Sequence, residues 1–275
     1  MKNLKKIPFI LSILSLLTFI SPANAETKVV ASIKPIHSLA SYLMDGVSKP
    51  GLIVDGYASP HGFAMKPSHA KMLQEADLIF WVGEDLESFL EKPLKSIAKK
   101  AEKIELMEIK GLNKLKFRER NIFDGHDDHG HDDGHKEDDH DEHEGHAHGE
   151  YDPHIWLDPS NAKVILKEMA EHLIEKDQKN ASIYKSNLKK ALKDLDKLTK
   201  DVKSDLNKDF KSIVFHDAYQ YFEKRFDVNV LGAFTVNTDV MPGAEQLAEI
   251  REIIEHDKVS CVFSEPQFNP DIINA

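Results

Sequence analysis

The chain has 275 residues, with 36 Lys+Arg against 47 Asp+Glu, and its formal net charge of −11 at pH 7 argues against a nucleic-acid partner. At 41% hydrophobic it can bury one large or two medium cores, which excludes disorder throughout. Its single cysteine, Cys261, excludes an intramolecular disulfide framework and an all-thiolate metal site, so any metal chemistry must use His and carboxylates.

The chain opens with Lys2, Lys5 and Lys6, runs through an apolar stretch over 7–20, and reaches Ala23-Asn24-Ala25, a small-x-small site. This pattern predicts a secretory signal peptide over 1–25, cleaved after Ala25. The apolar stretch of 14 residues is shorter than the ~20 a membrane span needs, and no later segment approaches that length. No cysteine follows it to carry a lipid. The mature chain is therefore expected in a bacterial periplasm.

From residue 26 onward, short β-branched or aromatic runs alternate with helical patterns. Runs over 29–33, 52–54, 78–82 and 104–106 read as buried strands. Residues 124–150 then break the pattern: 8 are His, 12 are Asp or Glu, 5 are Gly, and none is an apolar residue larger than alanine. Such a segment cannot offset its ordering entropy by burial and is expected to be a disordered loop. Two helical patterns follow. One starts at Asp158-Pro159, an N-cap and first-turn pair, and carries Ile165, Met169 and Leu173. The other, over 179–207, carries Ile183, Leu188, Leu192, Leu195, Leu198, Val202 and Leu206, and at 1.5 Å per residue would be ~40 Å long. Further strands are expected at 213–215, 230–234 and 259–263. The expected fold is α/β with parallel sheets in two lobes: an N-terminal lobe over 26–123 completed by 151–178, a linking helix over 179–207, and a C-terminal lobe over 208–275.

In open parallel sheets ligands bind beyond the carboxyl ends of the strands. Three histidines stand there. His61 lies in the loop after 52–54, His216 directly follows 213–215, and His154 sits between the Asp152-Pro153 and Asp158-Pro159 pairs, whose prolines restrain the backbone on both sides. Three neutral imidazoles from three loops suit zinc or another borderline first-row ion better than calcium or magnesium. A lone histidine more often caps a helix or fills a core. The loop weighs against that reading here, because His126, His129, His131, His135, His140, His143, His146 and His148 crowd one segment at spacings where flexible chain chelates weakly. Glu265, past the last strand run, is a candidate to orient an imidazole from behind. His69, His172 and His256 read as structural; His37 also does, although its place near the end of the first strand would let it line a cleft. There is no G-x-G-x-x-G, Walker-type, G-x-S-x-G or H-E-x-x-H motif, so no catalytic residues are expected.

Taken together, Val-Val-Ala-Ser-Ile-Lys-Pro at 29–35, Ala-Met-Lys-Pro-Ser at 64–68, Ala-Asp-Leu-Ile-Phe-Trp-Val-Gly at 76–83, His-Ile-Trp-Leu at 154–157, Phe-His-Asp-Ala-Tyr at 215–219 and Cys-Val-Phe-Ser-Glu-Pro-Gln-Phe at 261–268 resemble the zinc branch of the cluster A-I metal-binding proteins, the periplasmic components of ABC importers. The resemblance covers nearly all of the mature chain. It implies two α/β lobes joined by one long rigid helix and modest lobe movement. Zn2+ would be held as transported cargo by the residues matching His61, His154 and His216, in a monomer that delivers it to an inner-membrane permease with a separate ATPase. Some members carry a glutamate just before the first ligand where this chain has Pro60, which leaves water, or a carboxylate from beyond Ala275, for the fourth position. The family also continues past the Gln-Phe stretch, often with a cysteine pairing the one that matches Cys261, so the sequence is expected to be a fragment. The competing readings are an extracellular zinc hydrolase and a zinc-storage or adhesin protein.

Overall fold

The computed structural model describes residues 26–123, 149–236, 238, 242–268 and 271–274, with backbone only at 272 and 274. The predicted signal peptide and the loop histidines from His126 to His148 lie outside the described residues.

The first half folds around a four-stranded parallel sheet. β1 (Val29–Ala31), β2 (Gly51–Leu52), β3 (Leu78–Trp81) and β4 (Glu102–Glu105) stand in the order β2-β1-β3-β4. The two central strands are apolar on both faces and fully buried, as a parallel sheet covered by helices requires. Edge strand β4, by contrast, carries half-exposed glutamates. The helices α1 (Lys34–Leu43), α2 (Pro67–Glu75) and α3 (Ser88–Ser96) return the chain between strands. β1 stops short of the predicted end at 33 because Pro35, fixed near a helical φ, sits in the first turn of α1. Similarly, the run at 104–106 is divided between β4 and a 3₁₀ turn over Leu106–Glu108.

α4 (Pro159–Lys176) begins where Asp158 caps it, accepting from the Ser160 N–H at 2.8 Å. Its buried Ile165, Leu166, Met169 and Leu173 join the first core. α5 (Ala181–Asp205) follows a 3₁₀ turn over Gln178–Asn180, so the long helix starts two residues later than the sequence pattern suggests. Its 25 residues span ~37 Å. Tyr184 is fully buried and donates its hydroxyl to Asp177 at 2.9 Å. Tyr184, Leu188, Ala191 and Leu195 pack on the first core, so α5 leans on the first lobe and hands the chain to the second.

The second sheet is also parallel. β5 (Lys211–His216) is central between β6 (Asn229–Thr235) and β7 (Cys261–Phe263), with α6 (Gln220–Phe226), α7 (Ala244–His256) and α8 (Asp271–Asn274) around it. Its core is smaller, built on Ile213, Phe234 and Ile250. Among the described residues no helix is long and apolar enough to cross a membrane.

Candidate metal centre

Three chain segments deliver one imidazole each to a cleft of about 340 Å³ between the two sheets. His61 comes from the loop after β2, where its backbone N–H bonds the Ser59 hydroxyl oxygen at 3.3 Å. His154 immediately precedes a 3₁₀ turn over Ile155–Leu157 and is 5% exposed. His216 is the last residue of β5 and is 6% exposed. The ring centroids lie 5.3 Å (His154 to His216), 5.5 Å (His61 to His154) and 5.7 Å (His61 to His216) apart, and one ligand atom from each falls within 4.8 Å of the others.

The hydrogen bonds around two of the rings fix their tautomers. Asp152 Oδ1 accepts from both the backbone N–H and Nδ1 of His154, at 2.9 and 2.6 Å, while Glu265 Oε1 accepts from Nδ1 of His216 at 2.7 Å. A carboxylate offers only acceptors, so the proton of each neutral imidazole stays on Nδ1 and the Nε2 lone pair is presented to the cleft. Nε2 of His216 is buried with no hydrogen-bond partner. An orphaned acceptor of this kind is costly unless an ion takes it up. Glu265 is itself held, accepting from the Gln267 amide through Oε2 at 2.7 Å. Burial, and then the neighbouring charge of Glu265, push the Tyr219 hydroxyl up to about 12. Apolar walls complete the site, with Trp156 edge-on to His154 at 5.4 Å and Phe268 edge-on to His216 at 5.2 Å.

The other described histidines stand away from the cleft. His37 bonds the Pro50 carbonyl at 3.1 Å and does not line the cleft. His69 accepts from the Lys66 N–H at 3.1 Å in a capping box, and His256 is exposed at the end of α7. His172 is clasped by Glu102 and Glu168 at 2.6 and 3.3 Å, with Lys176 on the second oxygen of Glu102. Asp152 escaped the sequence reading. Its signal was there in the Asp-x-His spacing, which lets a carboxylate fold back onto its own ring.

The chain matches the family model described as ZnuA, zinc-uptake complex component A periplasmic, over residues 29–275. It is 43% identical over 290 aligned positions to the high-affinity zinc uptake system protein ZnuA of Brucella abortus, covering 99% of this chain and 86% of that one. It is 37% identical to the protein of the same name from Yersinia pestis, over 95% of this chain and 82% of that one. Among solved structures, a zinc-bound deletion mutant of ZnuA superimposes with a TM-score of 0.72 at 22% identity, covering 91% of this chain and 85% of the other. That likeness establishes the two-lobed fold.

Proposed function

The chain belongs to the family of periplasmic zinc-uptake components, and from that premise we propose that His61, His154 and His216 are the ligands of the ion it handles. It is the zinc-binding component of a high-affinity uptake system, and Zn2+ is its cargo. The observation that carries the assignment is the convergence of three imidazoles from three segments, two of them held by buried carboxylates with Nε2 toward the cleft. Structural zinc sites close with four ligands, whereas three protein ligands leave one position open. An open position suits cargo that must leave again. The mature chain, cleaved after Ala25, works as a monomer in the periplasm and passes the ion to an ABC permease and its ATPase. It captures without catalysis, and the histidines over 126–148 add only weak sites.

A competitive titration against a calibrated zinc chelator tests this. One tight site per chain is expected, lost on replacing His61, His154 or His216 by Ala and retained on deleting 124–150. A tight site that vanished with the deletion would overturn the assignment. Bound imidazoles must be neutral, so protons compete with the ion and affinity should fall as the medium is acidified.

A further inference from the structure

Before the long helix, one described segment reaches from the first lobe to the second, and it runs behind the metal centre. After the 3₁₀ turn at Leu106–Glu108, residues 115–123 form a strap that reaches the outer edge of β6. There the Ala233 N–H donates to Asn121 O and the Phe123 N–H to Leu231 O, both at 2.8 Å, with an antiparallel bridge between Ile122 and Gly232. Gly232 is required by this approach, because a Cβ there would stand 2.6 Å from Asn121 O. The strap is also pinned to α6. Tyr221 accepts from the Leu115 N–H at 3.0 Å and donates to Asp152 O at 2.7 Å, while the Gln220 amide donates to Lys116 O at 3.0 Å.

Arg118 stands at the middle of the strap. Its guanidinium donates to Asp217 Oδ1 at 2.8 Å and takes both oxygens of Glu223, at 3.2 and 2.6 Å, while stacking 3.8 Å above the Phe123 ring. Asp217 directly follows His216, and both carboxylates are buried. Without the cation, two buried carboxylates would face each other at the turn between β5 and α6, and the turn would shift to let in water.

We propose that Arg118 is a positioning residue for the metal centre, tying the strap to Asp217 and Glu223 and so holding His216 at its distance from His154. This rests on the three-imidazole reading above. The fork geometry matters because a guanidinium serves two carboxylates in one plane, whereas an ammonium is a single point charge.

The test uses the full chain with Arg118→Met, Arg118→Lys and Gly232→Ala, measuring zinc affinity by chelator competition, the absorption bands of the cobalt(II)-loaded protein, and the melting temperature of the metal-free protein. We expect Arg118→Met to lose roughly tenfold to a hundredfold in zinc affinity, the range seen when groups behind metal ligands are removed, and to shift the cobalt bands. Arg118→Lys should recover only part of the loss. Gly232→Ala, which removes no charge but pushes the strap off β6, should weaken zinc in the same direction. A purely structural arginine would lower the melting temperature and leave affinity and cobalt bands at wild-type values, and that result overturns the inference. Should Arg118→Met fail to fold, Arg118→Lys decides: a several-fold affinity loss supports the proposal, and parity with wild type overturns it. If the wild-type chain has no tight site that is lost on His216→Ala, the metal-centre reading itself falls and takes this one with it.

Discussion

At the scale of single residues, two carboxylates behind the imidazoles set how the candidate site presents its nitrogens. Asp152 and Glu265 each hold one imidazole through Nδ1, so replacing either by Ala frees a ring to rotate and to change tautomer. Each replacement should cost about tenfold to a hundredfold in zinc affinity by chelator competition, with the metal-free fold retained by circular dichroism. Glu87 behaves differently. It is fully buried after β3, accepting from the Val82 and Gly83 N–H groups at 2.8 and 3.0 Å, and burial pushes its carboxyl up from 4.5 to about 7. A raised acid binds its proton more tightly in the folded chain than in the unfolded one, so its contribution to stability declines as pH climbs from about 4.5 to about 7 and stays low above that. Glu87→Gln removes this dependence. Urea unfolding at pH 5 and pH 8 should show the variant gaining on the wild type at the higher pH; an equal difference at both would mean the carboxyl does not titrate in that window. The three histidines proposed as ligands stand out in the sequence by different local signals: His216 closes a strand run, His61 lies in the loop after one, and His154 sits between two Asp-Pro pairs. The partner of His216 was legible only as a candidate, since Glu265 lies 49 residues away and no local pattern measures that distance.

At the scale of elements, α4 shows how a start signal in the sequence becomes a joint in the fold. Asp158 caps the helix through the Ser160 N–H, as the Asp-Pro pair predicts, yet the same carboxylate also receives Arg225 of α6 through two bonds, at 2.6 and 2.7 Å. Asp158→Ala removes a cap and leaves a cation beside a buried gap, and should destabilise the chain by about 3 kcal/mol, most of it from the broken ion pair. For a chain of this size that is a fall in melting temperature of roughly 6–12 °C. Scanning calorimetry checks it, and a change of a degree or two would show that the Arg225 contact contributes little. The strands came through with their order along the chain intact and their ends moved by one to three residues. Two of those shifts fall where a helix or 3₁₀ turn takes over the chain, at Lys34 and Leu106. Periodicity reports which residues are apolar, whereas the end of a strand depends on where its neighbour stops offering hydrogen bonds.

At the scale of the whole molecule, the candidate metal centre lies where two separate cores meet. His61 and His154 belong to segments around the first sheet and His216 to the second, so an ion bound by all three ties the lobes together. Binding to the folded chain alone adds about 2.7 kcal/mol of stability when free ligand exceeds Kd a hundredfold, a rise of roughly 5–10 °C in melting temperature at this size. The triple His61, His154 and His216→Ala variant should show none of that rise, and an unchanged rise would move the stabilising site elsewhere. The α/β class, the two groups of strands and the long helix were all determined by the sequence alone. Each follows from local periodicity, composition or residue type within one segment. Only the tertiary structure decided that Arg118 reaches Asp217 across 99 residues of chain, and that a strap leaving the first lobe finishes on the edge of the second sheet. Those contacts are set by how two cores pack against each other, and packing depends on the shapes of all the buried side chains at once, which no stretch of sequence carries by itself.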